Sequence, residues 1–344
     1  MAVGYIFDDS VGIYHYGPKH PMKPYRIMIT HSLVKSLGLE NKMTVLKPQI
    51  EKITYHSAKY FRDLGKQETS DCPNFDGLKD FCRKYSSASI NAAKYINVKK
   101  FDTVINWAGG LHHAHKNEPS GFCFVNDIVM AILELLKVHE RVMYIDIDVH
   151  HGDGVEDAFL LNDRVLTLSF HKFGGGFFPE TGSLITTNHK TVNVPLLSGI
   201  NDESYKYIFE PIVDECIKKF KPSAIVMQCG ADSLGCDRLG VFNLSIGGHA
   251  ECVKFVKNFN IPLIILGGGG YTLSNVARCW AFETAVICGE SDNVDTVPED
   301  NPFLSYFSPN YKFNPTFKQK FTNKNDKEYL DSISEFICER INKF

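Results

Sequence analysis

The segment "RVMYIDIDVHHGDG" (141–154) runs from an apolar strand into two aspartates and two histidines. Side chains alternate faces along a strand, so Asp146, Asp148 and His150 share one face if the extended geometry persists. A buried carboxylate is costly unless it meets a paired charge, dense hydrogen bonding or a metal. Two carboxylates and an imidazole on one face therefore raise the question of a bound cation.

Other apolar runs of strand length surround this one: 3–7, 102–107, 164–170, 190–196, 223–229 and 261–266. Between them, helical patterns cover 80–96, 124–139, 203–220, 248–258 and 275–288, and a final helix starts near Lys327. In "VNDIVMAILELL" the apolar residues follow a helical repeat, with Asn126 or Asp127 at its start. Strands alternating with helices predict an α/β protein whose central, mostly parallel sheet is flanked by helices on both faces. No linker or repeat divides the 344 residues, so one domain spanning 1–344 is expected.

The unusual residues have one placement in common. "AGGLHHAH" (108–115), "VHHGDG" (149–154), "HKFGGGFF" (171–178), "GADS" (230–233) and "GGGGYT" (267–272) each directly follow a predicted strand. In open α/β sheets ligands bind beyond the carboxyl ends of the strands, so the five clusters should meet in one crevice.

Composition narrows the function classes. The formal net charge of -3 gives no sign of nucleic-acid binding. The 10 cysteines form no Cys-x-x-Cys pair and sit mostly in apolar stretches, which reads as buried free thiols in a reducing compartment. "MAVGYIFDDS" does not resemble a signal peptide, and no run of 18 apolar residues suggests a membrane span. A soluble, intracellular protein is expected.

Asp148, His150 and Asp232 are the candidate metal ligands. Oxygen and imidazole donors without thiolate suit Zn²⁺, and also Fe²⁺ or Mn²⁺, and three protein ligands leave a position open. Taken singly, Asp232 could cap a turn and His150 could be a satisfied core histidine; their convergence at strand ends favours the metal. His112 and His113 are candidates for acid–base work, with Asp146 and Asp153 available to orient one imidazole each. Four glycines before Tyr271 allow close backbone approach. They lack the Lys-Ser/Thr of a phosphate loop, so the Tyr271 hydroxyl is read as an oxyanion donor. Gly121-Phe122 and Phe177-Phe178 place aromatic rings beside the site.

At this point the motifs resemble a known family. "HPMKPYRI" (20–27), "DCPNFDGL" (71–78), "NWAGGLHHAHKNEPSGFCFVNDIV" (106–129), "QCGADSL" (228–234) and "LGGGGYTLSNVARCW" (266–280) look like those of class I zinc-dependent histone deacetylases of the arginase-deacetylase fold. The resemblance runs from about Gly4 to "SPNY" (308–311). It implies zinc on Asp148, His150 and Asp232, with Fe²⁺ as the alternative. It implies His113 as general base and acid with Asp153 behind it, and His112, backed by Asp146, as its electrostatic partner. Tyr271 would polarise the acetyl carbonyl. Gly121, Phe122, Phe178, Leu239 and Gly269 would bind the acetyl-lysine stem, Asp71 would hold the substrate backbone at the rim, and Arg26 would lie in a cavity behind the metal. Structural potassium would be held by Asp146, Asp148, His150, Ser169 and Phe170, and a second ion by Phe159, Asn162 and Val165.

By the same resemblance the substrate is an acetylated histone tail, the place of action the nucleus and also the cytoplasm, and a corepressor complex the partner. The sequence departs from the family between Tyr60 and Asp71 and again after "ETGSLITTNHK" (180–190), where it is shorter. Glu180 replaces a usual glycine. Lys23, Arg238 and Arg278 match basic inositol-phosphate positions, but Ser274 stands at another. Rival readings are a two-metal ureohydrolase, an acetylpolyamine amidohydrolase and a silent acetyl-lysine reader. The first wants more bridging carboxylates than "SLGCDRLG" (233–240) offers.

Overall fold

The computed structural model describes residues 2–66 and 69–341. Among these, eight strands form one sheet in which every pairing is parallel. In chain order they are β1 (Val3–Ile6), β2 (Thr44–Leu46), β3 (Thr103–Asn106), β4 (Val142–Asp146), β5 (Val165–Lys172), β6 (Thr191–Leu196), β7 (Ala224–Gln228) and β8 (Leu263–Leu266). Their spatial order is β2-β1-β3-β8-β7-β4-β5-β6. The helices are α1 (Arg26–Ser36), α2 (Ala58–Asp63), α3 (Leu78–Asn97), α4 (Asp127–Leu135), α5 (Asp153–Phe159), α6 (Asp202–Phe220), α7 (Ile246–Lys257), α8 (Leu273–Cys288) and α9 (Lys327–Ile341).

The central strands are buried from end to end, as a parallel sheet covered on both faces requires. Alternate residues enter two different cores. Ile105, Ile145, Ile225 and Ile265 pack on the side of α6, α7 and α8, whereas Val104, Tyr144, Val226 and Ile264 pack on the side of α3 and α4. The β4 ladder ends at Asp146, two residues before the predicted 148. The alternation continues beyond it, because Ile147 and Val149 still enter the same core as Ile145.

Local chemistry accounts for several boundaries. The Asn126 side chain accepts from the Val129 amide at 3.1 Å and starts α4. α4 ends at Leu135 and not near 139, where the amides of Lys137 and Val138 bond three residues back, to Glu134 and Leu135, in place of the four of an α-helix. α6 opens on Asn201 with Asp202 and Glu203 in its first turn and closes with Lys218 and Lys219 in its last, matching its dipole.

Four elements escaped the periodicity. α1, "RIMITHSLVKS", is rich in branched residues and is held as a helix by packing against α8. α2 buries no residue, α5 is only 7 residues long, and β2 is a 3-residue exposed edge strand. The shortened 60–71 stretch contains residues 67 and 68, which lie outside the described residues. No described helix is long and apolar enough to cross a membrane. All ten cysteines are free, and seven of them are buried.

Candidate active site and metal centre

The five motif clusters follow β3, β8, β7, β4 and β5, which are consecutive neighbours in the sheet. Their carboxyl ends therefore form one continuous rim. β3 and β4 are successive in sequence yet are separated by β8 and β7, so the chain reverses its winding here, where α/β sheets open a crevice.

On this rim Asp148, His150 and Asp232 present one ligand atom each, all within 4.8 Å of one another. His150 Nδ1 lies 3.1 Å from Asp148 Oδ1 and 3.1 Å from Asp232 Oδ2. Both carboxylates are buried, and two acids face one imidazole. Burial and then the charge of Asp148 push Asp232 up, so the pair favours a proton or a cation between its members. Burial opposes protonation of His150, yet the two acids outweigh it and hold the ring at about 10. The backbone shapes this cradle. A Cβ on Gly269 would lie 2.0 Å from Asp232 Oδ2, and one on Gly230 would lie 2.0 Å from Asp148 Oδ2. Only glycine lets these chains approach so closely. The donor set and the shape of the cradle fit a divalent ion with room for further ligands.

Two histidines stand beside the cluster, each on its own carboxylate. His112 Nδ1 donates to Asp146 Oδ2 at 2.8 Å, and His113 Nδ1 to Asp153 Oδ1 at 2.7 Å. The two Nε2 atoms are 2.9 Å apart, so one must carry a proton and the other a lone pair. Burial would depress His112, but Asp146 and Asp148 outweigh it and lift it to about 9. Burial, and then the charge of His112, lowers His113 to about 4. His113 is thus neutral, lines the cavity, and turns its Nε2 lone pair toward protonated His112.

A cavity of about 320 Å³ leads to this group. It is lined by Asp71, His113, Gly121, Phe122, His150, Gly176, Phe177, Phe178, Leu239 and Tyr271. Phe177 stacks on His150 with ring centres 5.2 Å apart, and Phe178 meets His113 edge-on at 4.9 Å. Gly121 and Phe122 both have positive φ, 53° and 67°, and a Cβ on Gly121 would lie 2.3 Å from His113 Cδ2. This left-handed turn, costly for a phenylalanine, brings the Phe122 ring to 5.6 Å from Tyr271. Asp71 accepts from the Gly121 amide at 2.7 Å and so ties the rim to that turn. Burial, then Asp232 and Asp148, raises Tyr271 well above its usual value, so its hydroxyl stays a donor.

The structure thus gathers His112, His113, Asp146, Asp148, His150, Asp153, Asp232, Gly269 and Tyr271 with the wall residues Asp71, Gly121, Phe122, Phe178 and Leu239. Arg26 lies behind them, buried, donating to the Gly270 carbonyl at 2.7 Å and sitting 4.9 Å over Trp280. Ser169 and Phe170 stand on β5, where Ser169 is directly opposite Asp146 of β4. Phe159, Asn162 and Val165 lie apart from the crevice, on the turn from α5 into β5. Arg278 is committed to the Phe307 and Asn310 carbonyls, and Lys23 to those of Gly17 and Pro18.

Sequence reasoning missed two supports. Gln228 Nε2 donates to Asp148 Oδ2 at 2.8 Å. Asp237 accepts from the amides of Tyr271, Leu239 and Gly240 and so fixes two walls at once. Gln228 sits at the end of a buried strand, the signal that marked Asp146; nothing local distinguishes Asp237.

Residues 20–287 match the histone deacetylase domain. The chain is 49% identical over 366 residues to Histone deacetylase B of Dictyostelium discoideum, covering 98% of this chain and 86% of that protein. It is 47% identical to Type-1 histone deacetylase 1 of the same organism over 364 residues, 98% of this chain and 73% of the relative. With Histone deacetylase 1 of Homo sapiens it shares 49% over 370 residues, 98% and 75% of the two chains. Each aligned span exceeds the length of this chain, so the relatives carry insertions that it lacks. On the domain match and these near-full-length identities, the chain belongs to the histone deacetylase family.

Proposed function

We propose that this protein hydrolyses the Nε-acetyl group of lysine in proteins, histone tails above all, giving free lysine and acetate, and that it represses transcription by deacetylating chromatin. The observation that carries this reading is a neutral, carboxylate-backed imidazole, His113, at the end of an apolar cavity beside the Asp148, His150 and Asp232 cluster. The walls of Phe122, Phe178 and Leu239 suit a methylene stem, which loses little by leaving water there. Asp71 at the rim suits the amides of a substrate backbone.

Asp148, His150 and Asp232 would hold zinc, with Fe²⁺ the alternative; when bound, such an ion supplies Lewis acidity toward a carbonyl and lowers the pKa of water. His113 Nε2 takes the proton of the attacking water as its oxygen adds to the acetyl carbon. The Tyr271 hydroxyl donates to the carbonyl oxygen as charge builds there. His113 then delivers the proton to the lysine nitrogen while the carbon–nitrogen bond breaks. Asp153 keeps the Nδ1 proton in place, and protonated His112, held by Asp146, supports the developing negative charge.

A structural potassium ion is assigned to Asp146, Asp148, His150, Ser169 and Phe170, supported by the Asp146–Ser169 register. A second is assigned to Phe159, Asn162 and Val165. Gly269 and Gly121 keep the walls close to substrate. Action in the nucleus accords with a histone substrate, and a corepressor complex is the partner that the resemblance to class I deacetylases implies. Turnover of an acetyl-lysine histone peptide by purified protein, with metal analysis alongside, tests the reading. Absence of turnover in the zinc- and iron-loaded protein would refute it.

A further inference from the structure

The run His112-His113-Ala114-His115 holds a third histidine that the reaction above leaves unused. Asp153 divides its two oxygens. Oδ1 accepts from His113 Nδ1 at 2.7 Å and from the Gly154 amide at 2.9 Å. Oδ2 lies 3.5 Å from His115 Nε2. The other ring nitrogen, His115 Nδ1, lies 2.8 Å from Asp157 Oδ2. Asp153 and Asp157 are four residues apart on α5, one helical turn, so both carboxylates reach the same side of the helix. The backbone of His115 is fixed as well, its amide donating to the Glu118 carbonyl at 3.0 Å. Exposure of these side chains rises outward, from 10% at Asp153 through 31% at His115 to 55% at Asp157.

We propose that His115 is a positioning residue for the hydrolysis: as a cation anchored by Asp157, it clamps the outer oxygen of Asp153 and so keeps the inner oxygen aimed at His113. The inference rests on the deacetylase reading for its consequence in turnover, though not for its geometry. A carboxylate held on one oxygen only can rotate and exchange its oxygens, which loosens the imidazole it orients. Clamped on both sides, Asp153 offers His113 one fixed acceptor, which holds the proton on Nδ1 and leaves Nε2 unprotonated as the base.

The charge balance agrees. The carboxylates of Asp153 and then Asp157 lift His115 to about 10 against the opposing effect of burial, so both ring nitrogens carry a proton at neutral pH. Burial would raise Asp153, yet His113 and His115 hold it well below the usual carboxylate range. The two acids of α5 are the charged side chains that act most strongly on the His115 ring.

The test compares His115→Gln, His115→Lys and Asp157→Asn with wild type in kcat and KM for an acetyl-lysine peptide, with zinc content and melting temperature recorded. Loss of an orienting partner of this kind typically costs ~10–100-fold. His115→Gln should lose about 10-fold in kcat with KM within about twofold, at unchanged zinc content. His115→Lys, which keeps a cation at the clamp, should stay within about threefold of wild type. Asp157→Asn should fall between the two. A His115→Gln variant with wild-type kcat would overturn the inference, as would a Lys variant as impaired as the Gln one.

Imidazole ¹⁵N spectra give a readout independent of turnover. His115 should appear doubly protonated at pH 7.5, and the downfield Nδ1 proton of His113 should weaken in His115→Gln. A neutral His115 ring would also sink the idea. If wild type does not turn over the peptide, the deacetylase reading falls, while the spectra still decide whether the clamp exists.

Discussion

Two buried clusters in this protein offer similar donors and have different fates. Asp148, His150 and Asp232 lie on the rim of the sheet; His249, Cys279 and Glu283 lie between α7 and α8. Each set places three ligand atoms within 4.8 Å of one another. In the second set the acid and the base pair with each other, and of the cluster's polar atoms Glu283 Oε2 alone has no hydrogen-bond partner among the described residues. His249 Nδ1 is hydrogen-bonded to Glu283 Oε1, and His249 Nε2 donates to the Gly230 carbonyl at 3.0 Å. Burial, and then Glu283, keeps the Cys279 thiol protonated. All three residues are completely buried. In the first set two acids face one imidazole, and His150 lines a cavity. Donor identity is therefore a poor guide; unbalanced charge and access separate a site from a strut.

The largest expected effect would come from breaking the open cluster. Asp148→Asn or Asp232→Asn should lose metal and activity together, turnover falling by about 10³-fold or more, since such an ion supplies several kcal/mol of transition-state stabilisation. Full metal content with normal turnover in either variant would place the ligands elsewhere.

Tyr271→Phe comes next. Removal of one oxyanion donor costs ~10²–10³ in kcat, and here KM and bound metal should change little because the walls and Asp71 remain. If Tyr271 only packs on Phe122, kcat would fall less than about threefold.

The closed cluster should answer in stability, not in rate. Glu283→Ala leaves the buried His249 without its acid and should cost about 3 kcal/mol in unfolding free energy. One divalent ion per chain should remain in the catalytic position. Discovery of a second tightly bound divalent ion in wild type, lost in Glu283→Ala, would erase the distinction between the two clusters.

The smallest effect concerns an imidazole in neither cluster. His56 is buried, which lowers it to about 4, and its Nε2 accepts from the Asn126 amide at 2.9 Å. The unfolded chain then binds more protons than the folded one between pH 6.5 and 4, so stability should decline as pH falls through that window. His56→Gln should flatten this part of the curve of unfolding free energy against pH. An unchanged slope would show that His56 does not contribute to it.

Much of this comparison was legible before folding, and the reason is locality. Strand and helix periods are set by neighbours a few residues apart, so seven of the eight strands and the α/β class could be read directly. A polar cluster after each of five buried strands pointed to the crevice for the same reason. β2 and α2 were silent because neither buries an alternating or amphipathic face.

Which histidine meets which acid was decided by tertiary structure. His112 finds Asp146 across 34 positions and His113 finds Asp153 across 40, although β8 and β7 stand between β3 and β4 in the sheet. The double use of Asp153, the support from Gln228 and Asp237, and the sealing of Glu283 against His249 have no local signature. Sequence by itself determined which side chains had to be buried beyond the strand ends. Strand order then decided their partners, because the charge state of a buried ionisable group is set by what stands within a few ångströms of it.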